Sequence, residues 1–188
     1  SLTQGVHNHG GKIVIQLGYG GAYLSKSHVR SMTQNDIWGV IDAFSRAAVR
    51  AKQSGFDGVQ VMAAHGFLLS QMLCPRYNDR TAAYGGILEN RARLLLEVVQ
   101  SIRNAVGQDY PVLIKLNGED FVERGLTLQE SISVGEMLEN SGADAIELSG
   151  GLLNNPNLMQ THSGTTDEDE AFFKKHALAF KKKISIPL

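Results

Sequence analysis

TQNDIWGVIDAFSRAAVRAKQSGFDGVQVMAAH, residues 33–65, holds one complete helix-to-strand unit. Ile37, Val40, Ile41, Phe44, Ala48 and Ala51 recur at helical spacing on one face, which predicts an amphipathic helix over Asn35 to Ser54. Thr33 stands three residues before Asp36, so its hydroxyl can accept from an early helical amide while the carboxylate complements the positive helix end. Gly55 follows Ser54 where the chain needs a left-handed turn. Gly58 to Met62 (GVQVM) then reads as a short buried strand, and His65 comes just after it.

The same unit recurs on both sides. Lys12 to Leu17 (KIVIQL), Pro111 to Leu116 (PVLIKL) and Ala145 to Ser149 (AIELS) read as further strands, with helices at about Leu88 to Val106 and at Leu128 to Ser141. Thr127 and Glu130 match the strict capping-box pattern, which Thr33 and Asp36 do not, and Gly107 and Gly142 end the two helices. Buried strands joined by helices imply a parallel sheet with right-handed crossovers. Polar residues at or just after strand ends (Gln16, His65, Lys115, Asn117, Ser149) favour a barrel, and no GxGxxG opens a helix as an open dinucleotide-binding sheet requires.

A whole eightfold barrel takes roughly 250 residues, and this chain has 188. A fifth strand begins at Ile184 to Leu188 and stops at once. The expectation is therefore an α/β fold: one domain over residues 1–188, a partial TIM (β/α)8 barrel of about four to five consecutive βα units, and a fragment of a larger protein.

Composition narrows the partners. Eighteen basic and nineteen acidic residues are spread along the chain and leave a net charge of −1, which argues against nucleic acid and against a polybasic membrane anchor. No stretch approaches the roughly 18 apolar residues of a spanning helix, and the opening SLTQGVHNHGGK has no apolar run of a secretion signal. The single cysteine, Cys74, has no intrachain mate and reads as a buried small hydrophobe. A cytoplasmic, disulfide-free protein that takes a small molecule into a pocket is expected. The six histidines lack the spacing of a metal site, so none is expected. Asp167 to Glu170 reads as a loop, Lys181 to Lys183 as a solvated helix end, and Glu119, Asp120 and Glu123 as a solvated acidic cluster.

The longest irregular stretch is residues 63–89, AAHGFLLSQMLCPRYNDRTAAYGGILE. A connection of this length between strand and helix is usually functional. Extended through ENRARLLLEVV, it closely resembles the corresponding segment of the Old Yellow Enzyme family, the FMN-dependent NAD(P)H:flavin oxidoreductases. GGKIVIQL, SGFDGVQV and VLIKLNGEDFVERGLTLQES resemble three more of that family's motifs, in the family's order. The resemblance covers about residues 10 to 150 and implies the third to sixth strands of the barrel and the start of the seventh.

It also implies roles. Gln16 matches the glutamine that contacts the pyrimidine edge of FMN, where an amide offers both a donor and an acceptor. Lys115 matches the cation beside the charge that develops on reduced flavin, and His65 the second member of the pair that holds a substrate carbonyl. Asn78, Arg80, Tyr84, Gly85, Gly86, Glu89, Asn90 and Arg91 match structural positions of the loop and of subunit contacts, which makes a homo-oligomer an expectation. NAD(P)H is the implied reductant. The FMN phosphate is commonly held after the last two strands of such barrels, so weak retention of FMN by these residues alone is expected.

The departures are as informative. Met62 stands where the pair's first histidine belongs, and a thioether cannot donate. Phe67 replaces the usual proton-delivering tyrosine, and GYGGAY (residues 18–23) departs from the family's loop, leaving Tyr19 and Tyr23 as candidate hydroxyls. A lost carbonyl-polarising donor is worth about 2.7–4 kcal/mol. The first functional expectation is thus part of an FMN-dependent NAD(P)H oxidoreductase acting by hydride transfer on an activated double bond, other than the standard enone. The alternative is an inactive half-barrel that self-associates through its open edges; a third class is a barrel binding a sugar phosphate or acyl-CoA.

Overall fold

The computed structural model describes residues 1–20, 28–152 and 171–188. In chain order the elements are α1 (Leu2–His7), β1 (Val14–Leu17), α2 (His28–Ser31), α3 (Gln34–Gln53), β2 (Gly58–Ala63), α4 (Leu68–Leu73), α5 (Leu88–Val106), β3 (Val112–Asn117), α6 (Leu128–Asn140), β4 (Ala145–Ser149) and α7 (Lys174–Lys181). All four strands are parallel and lie in sequential order, β1-β2-β3-β4. A parallel sheet that grows one neighbour at a time in one direction is the wall of a barrel rather than a doubly wound sheet, whose order reverses.

The two faces of the sheet differ completely. On the outer face Val59, Val61, Ile114 and Leu116 are fully buried and Ile146 nearly so. They are covered by the apolar stripes of α3 (Ile37, Val40, Phe44, Ala48, Ala51) and α5 (Leu94, Leu95, Val98, Val99, Ile102). Each large side chain buried in this layer stabilises the fold by roughly 1.5–3 kcal/mol. The inner face carries the alternate residues and is half open.

Helix ends form as their capping residues dictate, with one difference. Thr33 and Asp36 close a full capping box, as Thr127 and Glu130 do. The shorter aspartate still reaches the Thr33 amide, which donates to Asp36 Oδ2 at 2.7 Å. Gly55 and Gly142 take the left-handed backbone that releases the chain into β2 and β4.

The long connection after β2 contains a helix, α4, whose six residues are all buried. The rest is knitted to its own backbone. Asn78 Nδ2 donates to Met72 O at 2.6 Å and Tyr84 O at 2.7 Å, and Arg80 Nη1 donates to Met32 O at 2.8 Å. Arg91, 4% exposed, donates to Leu73 O and pairs with Glu130. Gly85 is needed for close approach, since a Cβ there would sit 2.2 Å from Arg80 O.

Ile184 to Leu188 does not form the fifth strand. Pro187 O accepts from the Ile146 amide at 2.9 Å, so the segment does lie beside β4. The Ser185 and Ile186 amides turn instead to the Glu139 carboxylate at 3.0 and 3.3 Å, and proline has no amide to offer. Lys181 to Lys183 are exposed at the end of α7, while Asp167 to Glu170 and Tyr23 lie outside the described residues.

The acidic cluster is not uniformly solvated. Asp120 is 1% exposed and accepts from Asn117 Nδ2 and the Leu126 amide, both at 2.8 Å. Desolvation raises its pKa despite those donors. The neighbouring Cys74 is fully buried, and burial, with the Asp120 charge beside it, pushes its thiol up to about 12. At pH 8 only about one thiol in ten thousand is then ionised. The native protein is expected to resist iodoacetamide at pH 8 for hours and to label at once in urea, with the extent of modification read by mass spectrometry. Among the described residues no helix is long and apolar enough to cross a membrane, and no group of three or more metal-binding side chains gathers.

Candidate active site

In a parallel sheet, residues in register point the same way, and alternation along each strand selects the inner set. Gln16 lies opposite Gln60, Met62 opposite Lys115, Lys115 opposite Glu147, and Asn117 opposite Ser149. Met62 apart, these are polar residues of the inner face. Gln16 Nε2 donates to Gln60 Oε1 at 2.6 Å, and Gln60 Nε2 donates to Glu147 Oε2 at 2.7 Å. Lys115 Nζ donates to Glu147 Oε1 at 2.5 Å. A hydrogen-bonded row, Gln16–Gln60–Glu147–Lys115, thus crosses all four strands.

The row is polar and its charge is balanced. The Lys115 ammonium, joined by Gln60, holds the Glu147 carboxyl below the ordinary carboxylate range, against the opposing effect of desolvation. Glu147 therefore stays ionised at neutral pH and Lys115 has its counter-charge.

His65 stands at the mouth, beyond the C-terminal ends of the strands. Its backbone is left-handed, with φ +60°. Its amide donates to Asn117 Oδ1 at 3.2 Å, and its Nε2 lies 2.9 Å from Ser149 Oγ. Ser149 is two residues beyond Glu147 on β4, on the same side. Asn117 is fully buried and ties the mouth together, since its Nδ2 also donates to Asp120 and to Gly151 O, at 2.8 and 2.9 Å.

Apolar walls flank this polar floor. A Cβ on Gly18 would meet Met62 Cβ at 3.4 Å and Phe67 Cδ1 at 3.7 Å, so Met62 and Phe67 close over the end of β1. On the other side Phe121 and Phe173 pack against Gly150, with His176 among them and 3.3 Å from Glu119. Tyr19 lines two clefts against α3, of about 260 and 280 Å³.

The three residues singled out from the sequence, Gln16, Lys115 and His65, therefore share one side of the sheet. Two partners were missed, Gln60 and Glu147. For Glu147 the signal was parity, since it stands two residues before Ser149 on β4; Gln60 shares the face through its register with Gln16.

Residues 24–187 match the family described as NADH:flavin oxidoreductase / NADH oxidase. The chain belongs to that family. It is 34% identical over 180 residues to an NADH oxidase of Thermoanaerobacter brockii, covering 85% of this chain and 28% of that protein. An NADPH dehydrogenase of Halalkalibacterium halodurans is 34% identical over 161 residues, 78% of this chain and 47% of its own. The chain thus spans less than half the length of either relative. Among solved structures, a 2-naphthoyl-CoA reductase in complex with 2-naphthoyl-CoA superposes with TM-score 0.73 at 35% identity, over 80% of this chain and 22% of that one. An old yellow enzyme homologue from Zymomonas mobilis superposes over the full chain and 58% of its own, with TM-score 0.78 at 24% identity, a likeness of fold. The four strands of this family member are accordingly a consecutive part of a TIM barrel.

The inner row suits the group that this family's name implies. A flavin's pyrimidine edge alternates N–H and carbonyl groups, and the row offers amides of both polarities and an ammonium. With Glu147 neutralised by Lys115, no uncompensated anion opposes an electron-rich ring.

Proposed function

We propose that these residues form the flavin-holding floor of an FMN-dependent NAD(P)H oxidoreductase that reduces an activated double bond. The observation that carries this reading is the row Gln16–Gln60–Glu147–Lys115 with His65 at its mouth-side end. FMN, when bound, supplies hydride transfer from NAD(P)H to an electron-poor acceptor. Gln16 and Lys115 bind the ring, Lys115 giving charge stabilisation to the reduced state. It lacks the planar fork of arginine and acts as a point charge.

His65 donates a hydrogen bond to the acceptor's carbonyl oxygen, and Ser149 Oγ orients its imidazole. Met62 cannot help, so His65 carries the polarisation that a pair would share. Phe67 carries no exchangeable proton, and with Met62 it forms an apolar wall over the end of β1. We place the chain as the third to sixth strands of the family's barrel and the approach to the seventh.

Anaerobic titration of the purified protein, supplied with FMN, is expected to bleach the blue flavin band on adding NADH or NADPH. An unbleached band with both nucleotides removes the reading.

One observation favours a second reading, an inactive assembly. Among the described residues β1 has a hydrogen-bonded neighbour on one side only, and Val14 on it is 42% exposed. An unpaired edge is a template for another chain. Light scattering that finds a monodisperse monomer removes this alternative.

A further inference from the structure

The inner row has a direction as well as a composition. Glu147, as a carboxylate, can only accept, whereas Lys115 can only donate and the two glutamines can do either. Its two oxygens accept from Lys115 at 2.5 Å and from Gln60 at 2.7 Å. Gln60 thereby commits its NH2 group to Glu147 and turns Oε1 to Gln16, which donates from Nε2 at 2.6 Å. An isolated amide can be turned end for end at little cost. This one cannot, because turning it would set the Gln60 carbonyl against a carboxylate and leave a strong acceptor without its donor.

The consequence falls on Gln16. One N–H of its NH2 group is engaged within the row, so the carbonyl oxygen Oε1, with the second N–H beside it, is turned to serve a ligand. We propose that Glu147 is a positioning residue: through Gln60 it fixes the polarity of the Gln16 amide, so that the floor accepts from a ring N–H flanked by carbonyl groups. This deepens the flavin reading above and rests on it. Glu147 touches neither ring nor acceptor; it acts through Gln60 and Gln16, and through the same carboxylate it places the Lys115 ammonium.

The test is FMN binding by the purified protein and a set of variants, read by quenching of flavin fluorescence. Glu147→Gln keeps shape but allows the row to reverse, since glutamine can donate to Gln60 Oε1. It is expected to weaken FMN about tenfold, the scale of one mispaired hydrogen bond. Gln60→Leu cuts the relay while sparing the Lys115–Glu147 pair, and a loss of similar size is expected. In a Gln16→Ala background Gln60→Leu should cost no more than about twofold further, because the group it orients is gone. Melting temperatures read alongside show that each variant is folded, and Gln60→Leu carries the test should Glu147→Gln not fold.

A Gln60→Leu loss that adds independently of Gln16 overturns the proposal, as does Gln60→Leu binding like wild type, which would reduce Glu147 to a counter-charge. A whole protein carrying these residues that fails to take up FMN overturns the flavin reading itself, and this inference with it.

Discussion

Arg103→Ala is expected to cost about 3–5 kcal/mol of stability, the scale of leaving several carbonyls without donors at roughly 1–3 kcal/mol each. The Arg103 side chain is 4% exposed. Its guanidinium donates to Gly142 O at 2.7 Å, Tyr110 O at 2.8 Å, Gly107 O at 2.9 Å and Gln108 O at 3.2 Å, and pairs with Asp144 Oδ2 at 2.5 Å. Asp144 Oδ2 also accepts from the Val112 amide at 2.7 Å. One planar side chain thus staples the loop entering β3 to the loop entering β4. Truncation leaves several carbonyls facing a void with no donor, while the half-exposed Asp144 carboxylate keeps the Val112 amide. At roughly 2–4 °C per kcal/mol for a chain of this size, the melting temperature should fall by about 10 °C or more. Arg103→Lys, with a point charge in place of a fork, should recover less than half of it. These groups sit at the N-terminal ends of the strands, opposite the mouth, so FMN affinity measured below the melting transition should not change. A loss under 1 kcal/mol in urea denaturation would show that the loops hold without the staple.

His65→Gly is expected to lower turnover about 10²–10³-fold, the effect of removing one donor from a preorganised site, while leaving stability within about 1 kcal/mol. Two local effects nearly cancel in the fold. The left-handed backbone at His65 costs a non-glycine residue roughly 1–2 kcal/mol, which glycine avoids. Against this, the contact with Ser149 Oγ is lost, worth about 0.5–1.5 kcal/mol. The variant therefore separates chemistry from folding at a single position. Steady-state kinetics with an enone and a non-enone acceptor, paired with thermal denaturation, checks both halves. Turnover within tenfold of wild type would mean that the imidazole does not meet the acceptor.

The helices were legible in the sequence because their ends carry their own chemistry. Thr33, Thr127, Gly55, Gly107 and Gly142 place boundaries that the structure reproduces to within a residue. The strands were legible because their outer faces are unbroken runs of branched apolar residues. α4 was not, because all six residues of LLSQML are buried and such a segment shows no polar side to reveal its period. The segment after α7 misled for another reason. ISIPL has a strand's composition, but Glu139, far off in sequence, takes two of its amides.

The candidate site was half legible. Gln16 and His65 stand at or just past strand ends, where a reader of barrels looks first. Lys115 and its register partner Glu147 lie equally far inside their strands and Gln60 deeper still, so the meaning of Glu147 and Gln60 depends on register. Lys115 faces Glu147 only because β3 and β4 pair with Leu113 opposite Ala145. A shift of one residue would turn every inner side chain outward. That offset is not visible in either strand alone.

The Asn117 amide, which grips the His65 backbone, the Asp120 carboxylate and the Gly151 carbonyl at once, has a dynamic consequence. The tips that follow β2, β3 and β4 share one rivet, and none can swing without breaking bonds to the other two. This quarter of the rim behaves as a single rigid jaw, and any breathing that admits a guest belongs to parts of the rim that this amide does not touch.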